Sequence, residues 1–128
     1  MNMLNSLIIE GYATNDIEIT KPGTGFPVGK FTVAVNRFYK NRNDENVNET
    51  SFFDCECYGV LCDSFYKKIT KGKGIRVVGR LKQRHFKDEN GKDCSKVVII
   101  CEHIELRTVS KKEQEQFDKT LEEQQTTF

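Results

Sequence analysis

Aromatic rings set among cations are the residues of this chain whose types and spacing could do chemistry. In Arg80-Leu81-Lys82-Gln83-Arg84-His85-Phe86 the two-residue period of a strand puts Arg80, Lys82, Arg84 and Phe86 on one face and Leu81, Gln83 and His85 on the other. A ring at the end of a cationic row costs hydrophobic free energy on a solvent face unless something covers it. "SFFDCECYG" repeats the pattern: Phe53, Cys55 and Cys57 face one way, while Phe52, Asp54, Glu56 and Tyr58 face the other, which the carboxylates mark as solvent. Phe38 or Tyr39 adds a ring near the end of another strand. Unpaired bases stack on such rings at about 1–3 kcal/mol each, and phosphates pair with neighbouring Lys and Arg. The chemistry suggested is that of a surface for single-stranded nucleic acid, with duplex DNA the poorer ligand. A loop, the C-terminal segment or a subunit interface could cover any one of these rings alone, and a basic run alone is an ordinary solvated face.

Charge supports the pattern only locally. The net charge of the 128 residues is +1, yet Phe65 to Lys87 holds nine basic residues and no acid. Ser110 to Phe128 holds three Lys and five Asp or Glu. Other chemistries find less support. Cys55, Cys57, Cys62, Cys101 and His103 would suffice for a tetrahedral zinc, but they lack the C-x₂₋₄-C spacing that wraps a metal. Core thiols are the simpler account, so neither a metal nor a cofactor is expected. No nucleophile motif or phosphate-cradling loop is visible, and "KGKG" (Lys71 to Gly74) has no strand-to-helix context, so an enzyme is not expected. Five cysteines without a regular framework point to free thiols in a reducing cytoplasm. The longest apolar run near the start, Leu7-Ile8-Ile9, has no basic leader, so neither a signal peptide nor a membrane span is expected.

These residues need strands to position them. Leu4 to Glu10 predicts a strand, "GYATND" a bend and "IEIT" its continuation. "VGKFTVAVN" alternates as a half-buried strand, and the polar Lys40 to Thr50 predicts a long hairpin loop. "SFFDCECYG" follows as a third strand. Leu61, Phe65 and Ile69 form the stripe of a short helix that Gly72 would stop. "IRVVGRLKQRHF" and "SKVVIICEHIEL" then make a hairpin about Asn90-Gly91. Five strands with one helix between the third and fourth predict an all-β chain folded as an OB-fold antiparallel barrel over residues 1–108. Residues 109–128 predict a polar, flexible tail of marginal helical tendency. Removal of everything after Thr108 is accordingly expected to leave binding intact.

In the order and spacing of its landmarks the chain resembles the bacterial single-stranded DNA-binding protein family from about Met3 to Leu106. "LNSLIIEGYATNDIEI" resembles the family's opening strand and bend, "PVGKFTVAVNRFY" its second strand, and "FFDCECYG" its third. "VVGRLKQRHF" followed by "ENGKD" resembles its fourth strand and hairpin. The resemblance implies a cytoplasmic, nucleoid-associated homotetramer of OB-folds that wraps single-stranded DNA in replication, recombination and repair. The family's stacking positions fall on Tyr39, Phe52, Tyr58 and Phe86, without the tryptophans common there, and its phosphate-contacting positions fall on Lys71, Lys82 and Arg84. Charge alone adds Lys30, Arg37, Lys40, Lys73, Arg80 and Lys87. The family's acidic tip, ending in proline-phenylalanine and recruiting replication and repair proteins, has a partial echo in Glu122, Glu123 and Phe128. The alternative is an OB-fold adaptor that binds RNA or protein in a replication-restart or plasmid-borne complex.

Overall fold

The computed structural model describes residues 1–21 and 25–126, with side chains to residue 122. β1 (Leu7–Ala13) turns Leu7, Ile9, Gly11 and Ala13 inward and leaves Ile8 exposed, as its alternation dictates. After a bend, β2 (Glu18–Thr20) continues the same barrel strand by pairing with β3 (Val28–Lys40). β3 and β4 (Asn46–Tyr58) form a long antiparallel hairpin from Val28↔Tyr58 to Lys40↔Asn46. β5 (Gly74–Lys87) pairs antiparallel with β1 and with β6 (Asp93–Arg107). Parallel pairing of Cys55 with Ile99 and Glu56 with Ile100 joins β4 to β6. With β1 also meeting β3 at Tyr12↔Ala34, the five strands, counting β1 and β2 as one, close into the expected OB barrel.

Closure needs two very close approaches of backbone. A Cβ on Gly11 would stand 2.1 Å from the Ala34 carbonyl oxygen, and one on Gly79 would stand 2.2 Å from that of Ile100. Beside Gly79 the register passes from Val78↔His103 to Gly79↔Cys101, so Glu102 is a bulge. The bulge switches the phase of β6: Ile99 and Cys101 face the core before it, and Ile104 and Leu106 after it.

Phe31, Val33, Ile75 and Val77 fill the barrel with Cys55, Cys57, Cys62 and Cys101 among them. The thiols are core residues here, and His103 turns away to Glu105, 3.2 Å distant. α1 (Gly59–Phe65) plugs one end through Cys62, with Leu61 and Phe65 packed on the core. It ends well before Gly72, where the sequence predicts the stop. Gly72, at φ +86°, instead forms a turn whose N–H donates to the Ala13 carbonyl at 2.8 Å.

Two polar segments are more ordered than their composition suggests. The predicted loop from Lys40 to Thr50 is mostly strand: Asn46 to Thr50 pair with Asn36 to Lys40, and only residues 41–45 turn. The backbone ladder holds this arm without a core, aided by Thr50 Oγ1 donating to Asn36 Oδ1 at 2.7 Å. The predicted flexible tail is α2 (Lys111–Thr126), docked on the barrel. Ser110 Oγ caps it by accepting from Glu113 N–H at 3.2 Å, and Phe117, 1% exposed, meets the Tyr12 ring at 5.0 Å. The Glu113 carboxylate accepts from Tyr12 O–H at 2.9 Å and from Arg107 at 2.8 Å. Among the described residues no helix is long and apolar enough to cross a membrane.

Candidate nucleic-acid interface

Residues paired in register lie on the same side of a sheet, so the pairing decides which rings and cations meet. Tyr58, Glu56, Asp54 and Phe52 of β4 share the barrel's outward side with Lys30 of β3, which stands opposite Glu56. Ile100 carries that side onto β6, and its partner Arg80 carries it onto β5 with Lys82, Arg84 and Phe86. Phe52, Tyr58 and Phe86 are all exposed rings, Phe86 at 46%. Arg80 and Lys82 are exposed on the same side of β5 as Phe86, whereas Lys87, also exposed, alternates to the opposite side. All but Lys87 form one surface, as the alternation of the separate strands predicts.

Glu56 departs from expectation. It belongs to the outward side yet is only 3% exposed, because Arg84 and Tyr58 close over it. Arg84 Nε donates to both carboxylate oxygens, at 3.0 and 3.2 Å, and its Nη2 reaches Glu56 and the Tyr58 hydroxyl. Tyr58 O–H donates to Glu56 Oε2 at 2.6 Å. Burial pushes the Glu56 carboxyl up, but the bonds from Arg84 and Tyr58 outweigh it and leave it below its ordinary value. The Tyr58 hydroxyl is raised, first by burial and then by its bond to Glu56. The charge of Arg84, at a position where the resemblance implies a phosphate contact, is thus compensated by Glu56, and its guanidinium braces the Tyr58 ring.

The remaining predicted residues divide. Tyr39 lies on the reverse side of the arm with Arg37, whose guanidinium sits 5.0 Å from the Tyr39 ring centre and 3.7 Å from Glu49. Ala34↔Phe52 and Phe38↔Asn48 put Phe38, rather than Tyr39, on the side of Phe52 and Tyr58. Lys40, at the arm's tip, is 3.7 Å from Asp44. Lys71 and Lys73 sit on the loop before β5, at the end of that strand opposite Phe86, where Lys71 N–H donates to Asp16 and the Lys73 carbonyl accepts from Ala13. Glu122 is exposed on α2, while Phe128 and the side chain of Glu123 lie outside the described residues.

Several contributors escape a strand-by-strand reading. Lys96 stands opposite Arg84 and lines a groove with Lys30, Asp54, Glu56 and the buried Val98. In sequence it precedes the apolar run of β6 and reads only as a strand start. Phe53 alternates with the core thiols but is 38% exposed, because it lies where the arm begins to leave the barrel. Phe38 is 64% exposed. Ser110-x-x-Glu113 is the spacing of a helix capping box and could have announced α2.

The Single-strand binding protein family model matches residues 4–107. The chain is 43% identical over 104 residues to the "Single-stranded DNA-binding protein" of Aquifex aeolicus (strain VF5), a match spanning 81% of this chain and 70% of that one. It is 34% identical to the protein of the same name from Borreliella burgdorferi, over 80% of this chain and 69% of that one. Among solved structures, a Plasmodium falciparum SSB complex with ssDNA superposes with a TM-score of 0.74 at 23% identity, over 86% of this chain and 98% of that one. A deletion mutant of the single-stranded DNA binding protein from Thermus aquaticus gives 0.74 at 19%, over 82% and 51%. At those identities the two structures speak for the barrel, and the sequence matches speak for the lineage: the chain belongs to the single-strand binding protein family.

Proposed function

We propose that this chain binds single-stranded DNA without sequence preference and protects it during replication, recombination and repair. The observation that carries the reading is the gathering of Phe52, Tyr58 and Phe86 on one outward face with Lys30, Arg80, Lys82 and Lys96; Lys87, which alternates to the other side of β5, serves a strand that passes the end of the hairpin. Bases stack on the rings, phosphates release counterions to the lysines and arginines, and neither interaction reads sequence. Stacking requires unpaired bases, which disfavours duplex. Tyr39 and Arg37, on the reverse side of the arm, serve a strand that wraps around the arm. Lys71 and Lys73 serve one that continues past the far end of β5. Family membership supports assembly into a homotetramer in the bacterial cytoplasm, and the Glu-rich C-terminal end is the segment offered to replication and repair proteins.

A competition titration tests this. Fluorescent oligo-dT is displaced by unlabelled single-stranded DNA, RNA or duplex at two salt concentrations. Single-stranded DNA should compete far better than duplex, and affinity should fall as salt rises. Phe86→Ala should weaken binding by about 1–3 kcal/mol with the fold intact. Binding independent of salt, or duplex and RNA competing as well as single-stranded DNA, refutes the reading.

A further inference from the structure

β3 and β4 run on past the barrel as an arm, and α2 lies along the arm's outward side. Three contacts seat the helix there: Phe117 is buried against Tyr12, Glu113 binds Tyr12 and Arg107, and Thr120 Oγ1 stands 3.5 Å from Asn48 Nδ2. Gln116 and Lys119, a turn apart on the helix, consequently face the arm across an open groove of about 860 Å³. Phe38, Lys40, Asn46 and Asn48 line the opposite wall. None of the helix acids with described side chains, Glu113, Glu115, Asp118 and Glu122, lines the groove, and Glu113 and Asp118 are bonded to Tyr12, Arg107 and Gln114.

The wall chemistry matches one kind of occupant. Phe38 offers a ring, Lys40 and Lys119 place a cation on each lip, and the carboxamides of Asn46 and Gln116 supply donors and acceptors for base edges. The exposed pair of Lys40 with Asp44 at 3.7 Å is too weak to withhold Lys40 from a phosphate. Ala34↔Phe52 also places Phe52 on the same side of the same hairpin as Phe38, so the groove continues the stacking surface. We infer that the groove between the arm and α2 is a further nucleotide subsite for the single strand, with Phe38 stacking a base and Lys119 contacting phosphate. The inference rests on the single-strand binding proposed above, and it makes α2 a wall of the binding surface. Removal of the segment after Thr108 should then weaken binding, the reverse of what the sequence pattern suggests.

The test uses the full chain and oligo-dT across a salt series. Lys119→Ala, at an exposed position, should fold normally, lower affinity several-fold and reduce the slope of log K against log salt by about 0.7. Lys111→Ala, on the same helix but outside the groove, should change neither quantity. Phe38→Ala should also weaken binding, and an oligonucleotide carrying 5-iododeoxyuridine should photocross-link to the peptide containing Phe38. If Lys119→Ala matches the unaltered chain in affinity and slope while Phe86→Ala is impaired, the subsite is wrong and the binding face stands. If the unaltered chain does not bind oligo-dT, both fall.

Discussion

The buried carboxylate of Glu56 holds the guanidinium of Arg84 against the Tyr58 hydroxyl, so an acid sits within the cationic face and orients two of its members. Glu56→Gln keeps an acceptor for both partners but removes the compensating charge. Arg84 then becomes a net cation, and the salt slope of single-strand binding should steepen by about 0.7. The phenol of Tyr58 should titrate lower in the variant, since its bond to Glu56 helps hold it up. Salt-dependent titrations and a spectrophotometric tyrosine titration check the two outcomes.

The same residue predicts an acid limb in stability. The folded pKa of Glu56 lies below its ordinary value, so its contribution is fully present above the unfolded carboxylate value of about 4.3 and is lost as pH falls through the folded one. Glu113, lowered by its bonds to Arg107 and Tyr12, acts in the same direction on the docking of α2. At pH 7 Glu56→Gln should cost roughly 1–3 kcal/mol, the worth of bonds to a charged group. The difference from the unaltered chain should shrink below pH ~4 as the native carboxylate protonates. Urea denaturation at several pH values measures it.

Phe117 is the apolar anchor of α2. Phe117→Ala should cost about 3 kcal/mol of docking free energy and undock the helix while the barrel persists. Helical circular dichroism should fall, and the backbone amides of α2 should exchange faster with deuterium while those of β1 stay protected.

Barrel closure depends on two absent side chains. Gly11→Ala and Gly79→Ala would each press a methyl against a backbone carbonyl, of Ala34 and Ile100, which no flexible side chain can relieve. Each should destabilise the protein by about 1–3 kcal/mol or more, seen as a lower thermal midpoint.

Burial raises the thiols of Cys57 and Cys62, and Cys101 is raised by its bond to Cys55 and by burial. Cys94 is the one cysteine that is not buried. A disulfide reagent at pH 8 should therefore react quickly with a single equivalent per chain, and Cys94→Ser should abolish that phase. The remaining thiols should react only on denaturation.

The amino-acid sequence by itself determined the barrel strands, because inward and outward residues alternate over short spans and need no distant partner to be recognised. The rows ending in Phe86 and Tyr58, the short helix before β5 and the turn at Asn90-Gly91, where Gly91 has φ +76°, follow from the same local logic. Only the tertiary structure decided three other matters. A shift of one residue reverses a strand's faces, so the pairing of Ala34 with Phe52 was needed to put Phe38, and not Tyr39, beside Phe52. Glu56 looks solvated in sequence, and its burial depends on Arg84 on another strand. α2 looks like a polar tail because its anchor meets Tyr12 at the other end of the chain, and a contact between residues so far apart leaves no periodic trace in either segment.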